Sequence, residues 1–205
     1  MKTRLRLLLL ISMLLAGPLL AQNSPWPAER EARANMATEQ RLAYAATAEY
    51  NPYHTKIRDI RKAAFDFLEK GQSPEAIAEA QQGLALSKYN IDLLIFLATA
   101  YRASGDLANA DKVRQQWMGL VDSILHSGNG RDYASAFLVI NVDEEYSVLR
   151  VLQLEVTNQS LVEHNGSEFD VMKVKDTESG AEGVLYFNVD LPKKWLNKKL
   201  SLPAK

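Results

Sequence analysis

Cysteine is absent from the chain of 205 residues, and histidine occurs only three times. The lack of thiols excludes disulfides, thiolate metal sites, a cysteine nucleophile and attachment of lipid to a cysteine. His54, His126 and His164 are too far apart in the sequence for two of them to share a helical metal-binding spacing. We therefore predict no metal site and no cofactor, and we expect stability to come from packing alone.

An excess of basic charge is also missing, since 24 basic residues stand against 25 acidic ones. Loss of Lys2, Arg4 and Arg6 with the amino-terminal segment would make the chain more acidic still. Because nucleic-acid binding depends on the neutralisation of phosphates, a nucleic acid is not among the predicted partners. Apolar residues make up 47% of the chain, which is enough material for a globular core.

A long hydrophobic run occurs only at the amino terminus, where basic residues precede residues 7–16 and Gly17-Pro18 follows them. This order is typical of a secretory signal peptide, and a small residue suits the peptidase, so we predict cleavage after Ala21. The alternative is a membrane anchor, which requires about 20 uninterrupted apolar residues. We expect a periplasmic or secreted bacterial protein, with no stable membrane insertion after signal cleavage.

Five pairs of similar residues recur at a single spacing of thirty-four positions. They are Ile60 and Leu94, Ala64 and Ala98, Phe67 and Tyr101, Gly71 and Gly105, and Ala76 and Ala110. Because small residues recur where helices would cross and glycine recurs at the turn, residues 55–125 resemble two tetratricopeptide (TPR) repeats. The resemblance implies two helical hairpins, residues 55–70 with 74–87 and residues 91–104 with 107–126, and a concave binding face.

The TPR register implies a face that carries five polar side chains: Arg58, Arg61, Asp92, Thr99 and Arg102. The three arginines could hold a carboxylate of a bound peptide through paired hydrogen bonds. The alternative is a solvated face on which they pair with nearby acidic residues. We therefore predict a non-enzymatic adaptor that binds a peptide or a partner protein through this face.

Ser127-Gly128-Asn129-Gly130 interrupts the helical pattern, and we place a boundary there. The predicted divisions are a signal peptide (1–21), an N-terminal helix and turn (22–53), TPR-like hairpins (54–127) and a small α/β domain (128–205). Within the last, a β-rich run at residues 136–142 precedes a helix, a hairpin at Asn165-Gly166 and a strand at residues 183–189. The predicted fold class is α+β, with a mainly antiparallel sheet.

A final helix after Pro192 carries Lys193, Lys194, Lys198 and Lys199. Polybasic helices bind anionic lipid surfaces, so weak contact with a membrane surface is one interpretation. The alternative is a solvated helical face.

Across its length the chain also resembles an uncharacterised family of exported bacterial proteins that share a domain of unknown function. The likeness rests on four short strings: Tyr50-Asn51-Pro52-Tyr53, Ser127-Gly128-Asn129-Gly130, Glu144-Glu145-Tyr146 and Tyr186-Phe187-Asn188-Val189-Asp190. It implies a helical part followed by an α/β part, and it implies no activity.

Catalytic motifs are not recognisable in the sequence, which has no serine elbow, phosphate-binding glycine loop or dinucleotide fingerprint. Glu144 and Glu145 are adjacent, and neighbours on a helix point about 100° apart, so they cannot flank one substrate bond. We therefore predict no catalytic residue and favour a protein that is not an enzyme. The alternative function is an envelope hydrolase with a site at the joint between the two parts, where Tyr53, Glu145 and Tyr146 would meet.

Overall fold

The computed structural model describes residues 26–201, which form seven helices and four strands in an α+β arrangement. The first five elements are the helices α1 (Ala28–Ala45), α2 (Ile57–Glu69), α3 (Ser73–Leu86), α4 (Ile91–Ala103) and α5 (Leu107–His126). They are followed by β1 (Phe137–Leu138), α6 (Val142–Val151), β2 (Leu154–His164), β3 (Ser167–Asp176), β4 (Glu182–Asn188) and α7 (Asp190–Leu200). This order confirms the predicted fold class.

The helix boundaries repeat at the spacing found in the sequence. Helix α4 begins thirty-four positions after α2, and α5 begins thirty-four positions after α3. Gly71 and Gly105 lie in the two turns with φ angles of 71° and 85°, which glycine adopts without strain. Each helix from α2 to α5 packs against the next one.

Gly83 on α3 allows the helices of the array to approach each other closely. A Cβ atom at this position would lie 2.5 Å from Cδ1 of Leu93 on α4 and 2.8 Å from Cγ2 of Ile60 on α2. Ala64 and Ala80 are also buried between these helices. Small side chains therefore set the spacing, and the large apolar ones fill the remaining space.

Helix α1 packs on α5, the last helix of the array. Two arginines of α1 bind the buried carboxylate of Asp122 on α5. Nε of Arg30 lies 2.8 Å from one oxygen, and Nη2 of Arg33 lies 2.5 Å from the other. Ala34 and Ala37 are buried on the same face of α1. This helix therefore covers one side of α5.

The sheet has the strand order β1-β4-β3-β2, so β2 is at an edge. Strand β1 is parallel to β4, and the other two pairs are antiparallel. Asn165 and Gly166 have φ angles of 51° and 79°, which confirms the predicted tight hairpin. The register of β2 shifts at a bulge between Val156 and Asn158 and is then regular to the end of the strand.

The strand predicted at residues 136–142 is wrong in length, because β1 contains only two residues. Val139 makes one further hydrogen bond to β4. The N–H of Ile140 donates to the Glu144 carboxylate at 2.8 Å, and its carbonyl accepts from the Tyr50 hydroxyl. Since side chains take both backbone groups of Ile140, the ladder cannot continue.

One cluster of buried side chains runs through both halves of the molecule. It includes Leu120 and Ile124 of α5, Val148 and Leu149 of α6, and Phe187 of β4. Helix α6 contacts α4, α5 and β2, and it therefore joins the helical array to the sheet.

Candidate functional site

Helix α6 covers two of the five predicted partner residues, Arg61 and Asp92. Asp92, near the start of α4, is buried and accepts a hydrogen bond from the Ser147 hydroxyl at 3.0 Å. Arg61 of α2 and Arg150 of α6 both bind its carboxylate at 3.0 Å. Arg61 also lies 3.0 Å from Asp143 of α6. Asp92 and Arg61 thus connect α2, α4 and α6, and their charges are already compensated inside the molecule.

The other three predicted partner residues remain accessible to different degrees. Arg58 is exposed, with its Nε 3.4 Å from its neighbour Asp59. Arg102 is exposed as well, and its closest acidic partner is Asp111 at 3.8 Å. Exposed ion pairs of this kind contribute little to the free energy of folding, so a ligand can compete for both guanidinium groups. Thr99 is half-buried, and its hydroxyl donates to a carbonyl one turn earlier in α4.

An aromatic pair lies beside these residues, between α2 and α4. The ring centroids of Phe65 and Phe96 are 5.9 Å apart, and Phe65 is 42% exposed. Sequence reasoning missed this pair, although Phe65 occupies the same repeat position as Thr99, thirty-four residues later. A search that accepted apolar residues at that position would have found it. Arg58, Phe65, Phe96, Thr99 and Arg102 are called the α2–α4 face below.

A second group of polar side chains lies where α6 meets α1 and the sheet. Arg41 and Glu144 are both buried, and two guanidinium nitrogens lie 3.0 Å and 2.5 Å from the two carboxylate oxygens. Arg41 also donates to the Ser123 hydroxyl and to the carbonyl of Leu138. Glu144 accepts from the N–H of Ile140. With all its hydrogen bonds made inside the protein, this ion pair is structural.

Glu145 contacts a different neighbour, Asp170 of β3, which is also buried. Glu145 is 0% exposed, and within residues 26–201 neither of its carboxyl oxygens receives a hydrogen bond. Asp170 lies within hydrogen-bonding distance, and burial together with its negative charge raises the pKa of Glu145 to about 10. Burial raises the pKa of Asp170 too, against the hydrogen bond from Gln159. At neutral pH, Glu145 therefore keeps its proton and donates a hydrogen bond to Asp170.

Two tyrosines lie around this carboxyl pair. Burial, and then the charges of Glu145 and Asp170, raise the pKa of both Tyr53 and Tyr146. The Tyr146 hydroxyl donates to Oε1 of Gln159 at 2.5 Å, and Nε2 of Gln159 donates to Asp170 at 2.9 Å. The structure thus brings together the three residues named for the joint. The contacts of Glu145 and Tyr146 with Asp170 and Gln159 were missed, because no local pattern indicates which strands lie beside α6.

A family model described as a domain of unknown function (DUF4919) matches residues 38–199 of the chain. The chain belongs to this family. The DUF4919 match begins within α1 and ends within α7, so it contains both the α2–α4 face and the carboxyl pair. No curated protein and no solved structure matches the chain.

The lysines of α7 in this DUF4919 protein are partly engaged by its own side chains. Lys193 and Lys194 lie 3.7 Å and 3.4 Å from carboxylates of β3 and α7, respectively. Nζ of Lys199 lies 5.3 Å from the ring centroid of Trp195, and Lys198 is exposed. Within the described part of the chain, no helix combines the length and the apolar character needed to cross a membrane.

Within residues 26–201, no group of three or more histidine, aspartate or glutamate side chains is arranged so that it could hold a metal ion. The predicted cleavage position, Ala21, lies outside the described residues.

Proposed function

We propose that this DUF4919 protein is a non-enzymatic interaction protein of the bacterial envelope. In this proposal a signal peptide cleaved after Ala21 exports the chain, and its TPR-like hairpins bind a peptide or partner protein. The observation that carries the proposal is the exposed Phe65 ring, paired with Phe96, on a face that also offers two accessible arginines. Aromatic and arginine side chains are the residues that most often dominate the energy of protein interfaces.

The α2–α4 face suits a ligand that presents an apolar side chain and a carboxylate. The rings of Phe65 and Phe96 provide the apolar contact, and a guanidinium holds a carboxylate through two hydrogen bonds. Among the described residues, Arg58 and Arg102 make only exposed pairs, so a ligand displaces little when it binds them. The repeat of helix boundaries supports the TPR-like reading, because helical-repeat proteins bind partners on a concave surface.

Charge reversal at Arg58 and Arg102 tests the proposal without disturbing a buried side chain. We expect the full chain to capture a defined partner from an envelope extract. Arg58→Glu with Arg102→Glu should weaken that binding about tenfold or more, because like charges would oppose the ligand carboxylate. Phe65→Ala should weaken it by a similar factor.

The matched control is Lys112→Glu with Lys173→Glu, which makes the same change in net charge at exposed positions on α5 and β3. This variant should bind the partner as the wild type does. If the Arg58 and Arg102 variant keeps the partner fully bound, the α2–α4 face is not the binding site.

A second candidate function, an envelope hydrolase, is favoured by the convergence of Tyr53, Glu145 and Tyr146 on Asp170. Of two carboxyl groups that share a proton, the ionised one can accept a proton from water and the other can protonate the leaving group. Two carboxyl groups that share one proton are the catalytic pair of aspartic proteases. Peptides and esters are therefore the substrates to test.

Turnover of peptide and ester substrates by the full chain tests this second function. Glu145→Gln should abolish turnover, because glutamine keeps a hydrogen-bond donor toward Asp170 but cannot transfer a proton. Glu178→Gln, at an exposed turn, is the control and should leave the rate unchanged. Absence of turnover in the wild type, or full turnover in Glu145→Gln, contradicts the candidate.

A further inference from the structure

The edge strand β2 has an open side, because among the described residues it pairs only with β3. Along a strand, alternate residues direct their N–H and carbonyl groups away from the paired neighbour, so this side presents a row of free backbone groups. Proteins commonly protect such edges with charged side chains, above all lysine, with proline, with bulges or by keeping the strand short. Strand β2 has 11 residues and contains neither lysine nor proline.

The bulge near the start of β2 leaves one regular segment in the strand. Seven consecutive residues, Asn158 to His164, pair with β3 without interruption. The residue at the midpoint of this segment is Leu161, and its side chain is 51% exposed. A large apolar side chain at the centre of an open edge is a natural contact point for another strand.

We propose that β2 pairs, antiparallel, with β2 of a second copy of this chain, and that the two-fold axis passes through Leu161. An axis perpendicular to the sheet keeps the helices of both copies on the same face and joins the two sheets into one. In such an interface each strand contacts an identical strand that runs in the opposite direction. The side chains of the segment must therefore be compatible with the same side chains in reversed order.

The sequence of the regular segment meets this requirement about Leu161. The pairs across the interface are Asn158 with His164, Gln159 with Glu163, Ser160 with Val162, and Leu161 with its counterpart. No like charges meet, the second amide hydrogen of Gln159 is available to Glu163, and the two leucines cover each other. An axis at Gln159 would instead oppose Glu155 to Glu163 and shorten the regular overlap. Only the axis at Leu161 uses all seven regular residues.

Leu161→Lys tests the interface, because it places two positively charged side chains directly opposite each other, with their Cβ atoms about 5 Å apart across the axis. We expect the wild-type chain to sediment at twice its monomer mass at about 0.1 mM, where association with a micromolar Kd is nearly complete. Leu161→Lys should halve that mass. Met36→Lys, which puts the same charge at an exposed apolar position on α1, should leave the mass doubled.

Mixing Leu161→Lys with Leu161→Asp provides a second measurement that a folding defect cannot imitate. Each variant alone should be monomeric because it repels its own copy, whereas an equimolar mixture should regain the doubled mass through opposite charges at the axis. The proposal is overturned if the wild type is monomeric at this concentration, if Leu161→Lys stays dimeric, or if the mixture remains monomeric.

Discussion

Glu144 and Glu145 are neighbours on α6, and the protein neutralises their carboxylates in different ways. Glu144 is paired with the guanidinium of Arg41 inside the protein. Among residues 26–201 no cation pairs with Glu145, which keeps its proton and donates a hydrogen bond to Asp170. Both solutions avoid an isolated buried charge, which would be costly. Replacement of Glu145 by a neutral residue and removal of the cation beside Glu144 should therefore change the free energy of unfolding in opposite directions.

Replacement of Glu145 by glutamine should stabilise the protein at neutral and alkaline pH. The pKa of this carboxyl is 4.5 in an ordinary environment and about 10 in the fold. Between these values the folded state holds a proton that the unfolded state has lost. The free energy of unfolding therefore falls as pH rises, by about 1.4 kcal/mol per pH unit from this group.

Urea unfolding at pH 5 and pH 8 measures this effect. The wild type should lose stability relative to Glu145→Gln at the higher pH, and the difference should nearly vanish toward pH 4.5. An unchanged difference between the two pH values would mean that Glu145 does not hold the proton.

Replacement of Arg41 by methionine should destabilise the fold by about 3 to 5 kcal/mol, because it leaves the Glu144 charge buried without a cation. Adding Glu144→Gln should recover much of this loss, since glutamine is neutral and can still accept the hydrogen bond from Ile140. Arg58→Met, at an exposed position, should change the free energy of unfolding by less than about 0.5 kcal/mol. Urea unfolding of the four proteins checks the order, and equal losses in the single and double variants would contradict it.

At the scale of elements, Gly83 determines how closely α3 packs against its neighbours. Gly83→Ala should destabilise the protein by about 1 to 3 kcal/mol through overpacking, although alanine favours a helix more than glycine does. The matched control is Gly119→Ala on α5, where a Cβ atom would lie 3.1 Å from Cγ of Arg33 and 3.6 Å from Cβ of Ala37, both longer than the approaches at Gly83. Thermal unfolding should show a lower midpoint for Gly83→Ala than for Gly119→Ala, and the reverse order would contradict this packing.

The helices and the hairpin could be predicted because their signals are local. Gly71 and Gly105 mark turns by their backbone conformation, and Asn165-Gly166 marks the hairpin in the same way. The end of β1 could not be predicted, because it depends on groups distant in sequence. The Tyr50 hydroxyl that binds the carbonyl of Ile140 comes from 90 residues earlier in the chain.

The candidate sites follow the same division between local and distant information. The repeat register identified Arg58, Thr99 and Arg102, which the structure leaves wholly or partly accessible. It also selected Arg61 and Asp92, whose compensation by α6 depends on Arg150, a residue with no place in the repeat. The sequence excluded Glu144 and Glu145 as a joint acid-base pair on helical geometry. It could not show that Glu145 meets Asp170, since that contact depends on how α6 lies on the sheet.

At the scale of the whole molecule, the helical array and the sheet share one core and should unfold together. Helix α6 contributes to this core and also carries the carboxyl that binds Arg41 of α1. We expect a single cooperative transition for the full chain.

Two tryptophans report on the two halves separately. Trp117 lies on α5 and Trp195 on α7, and variants that keep only one tryptophan can be unfolded in urea. For each variant, the urea midpoint measured by tryptophan fluorescence should equal the midpoint measured by circular dichroism. Separate midpoints would show that the halves are independent units.

The ion pairs around Asp92 also limit the length of any ligand that lies along α4. The side chains of Arg61 and Arg150, which come from α2 and α6, cover the first turn of α4. The stretch of α4 that a ligand can reach therefore runs from Ile95 to Arg102. At about 1.5 Å per helical residue this stretch is about 12 Å long, which an extended peptide crosses in about four residues. Recognition on this face would therefore read a short terminal or looped epitope, and most of a larger partner would lie outside the contact.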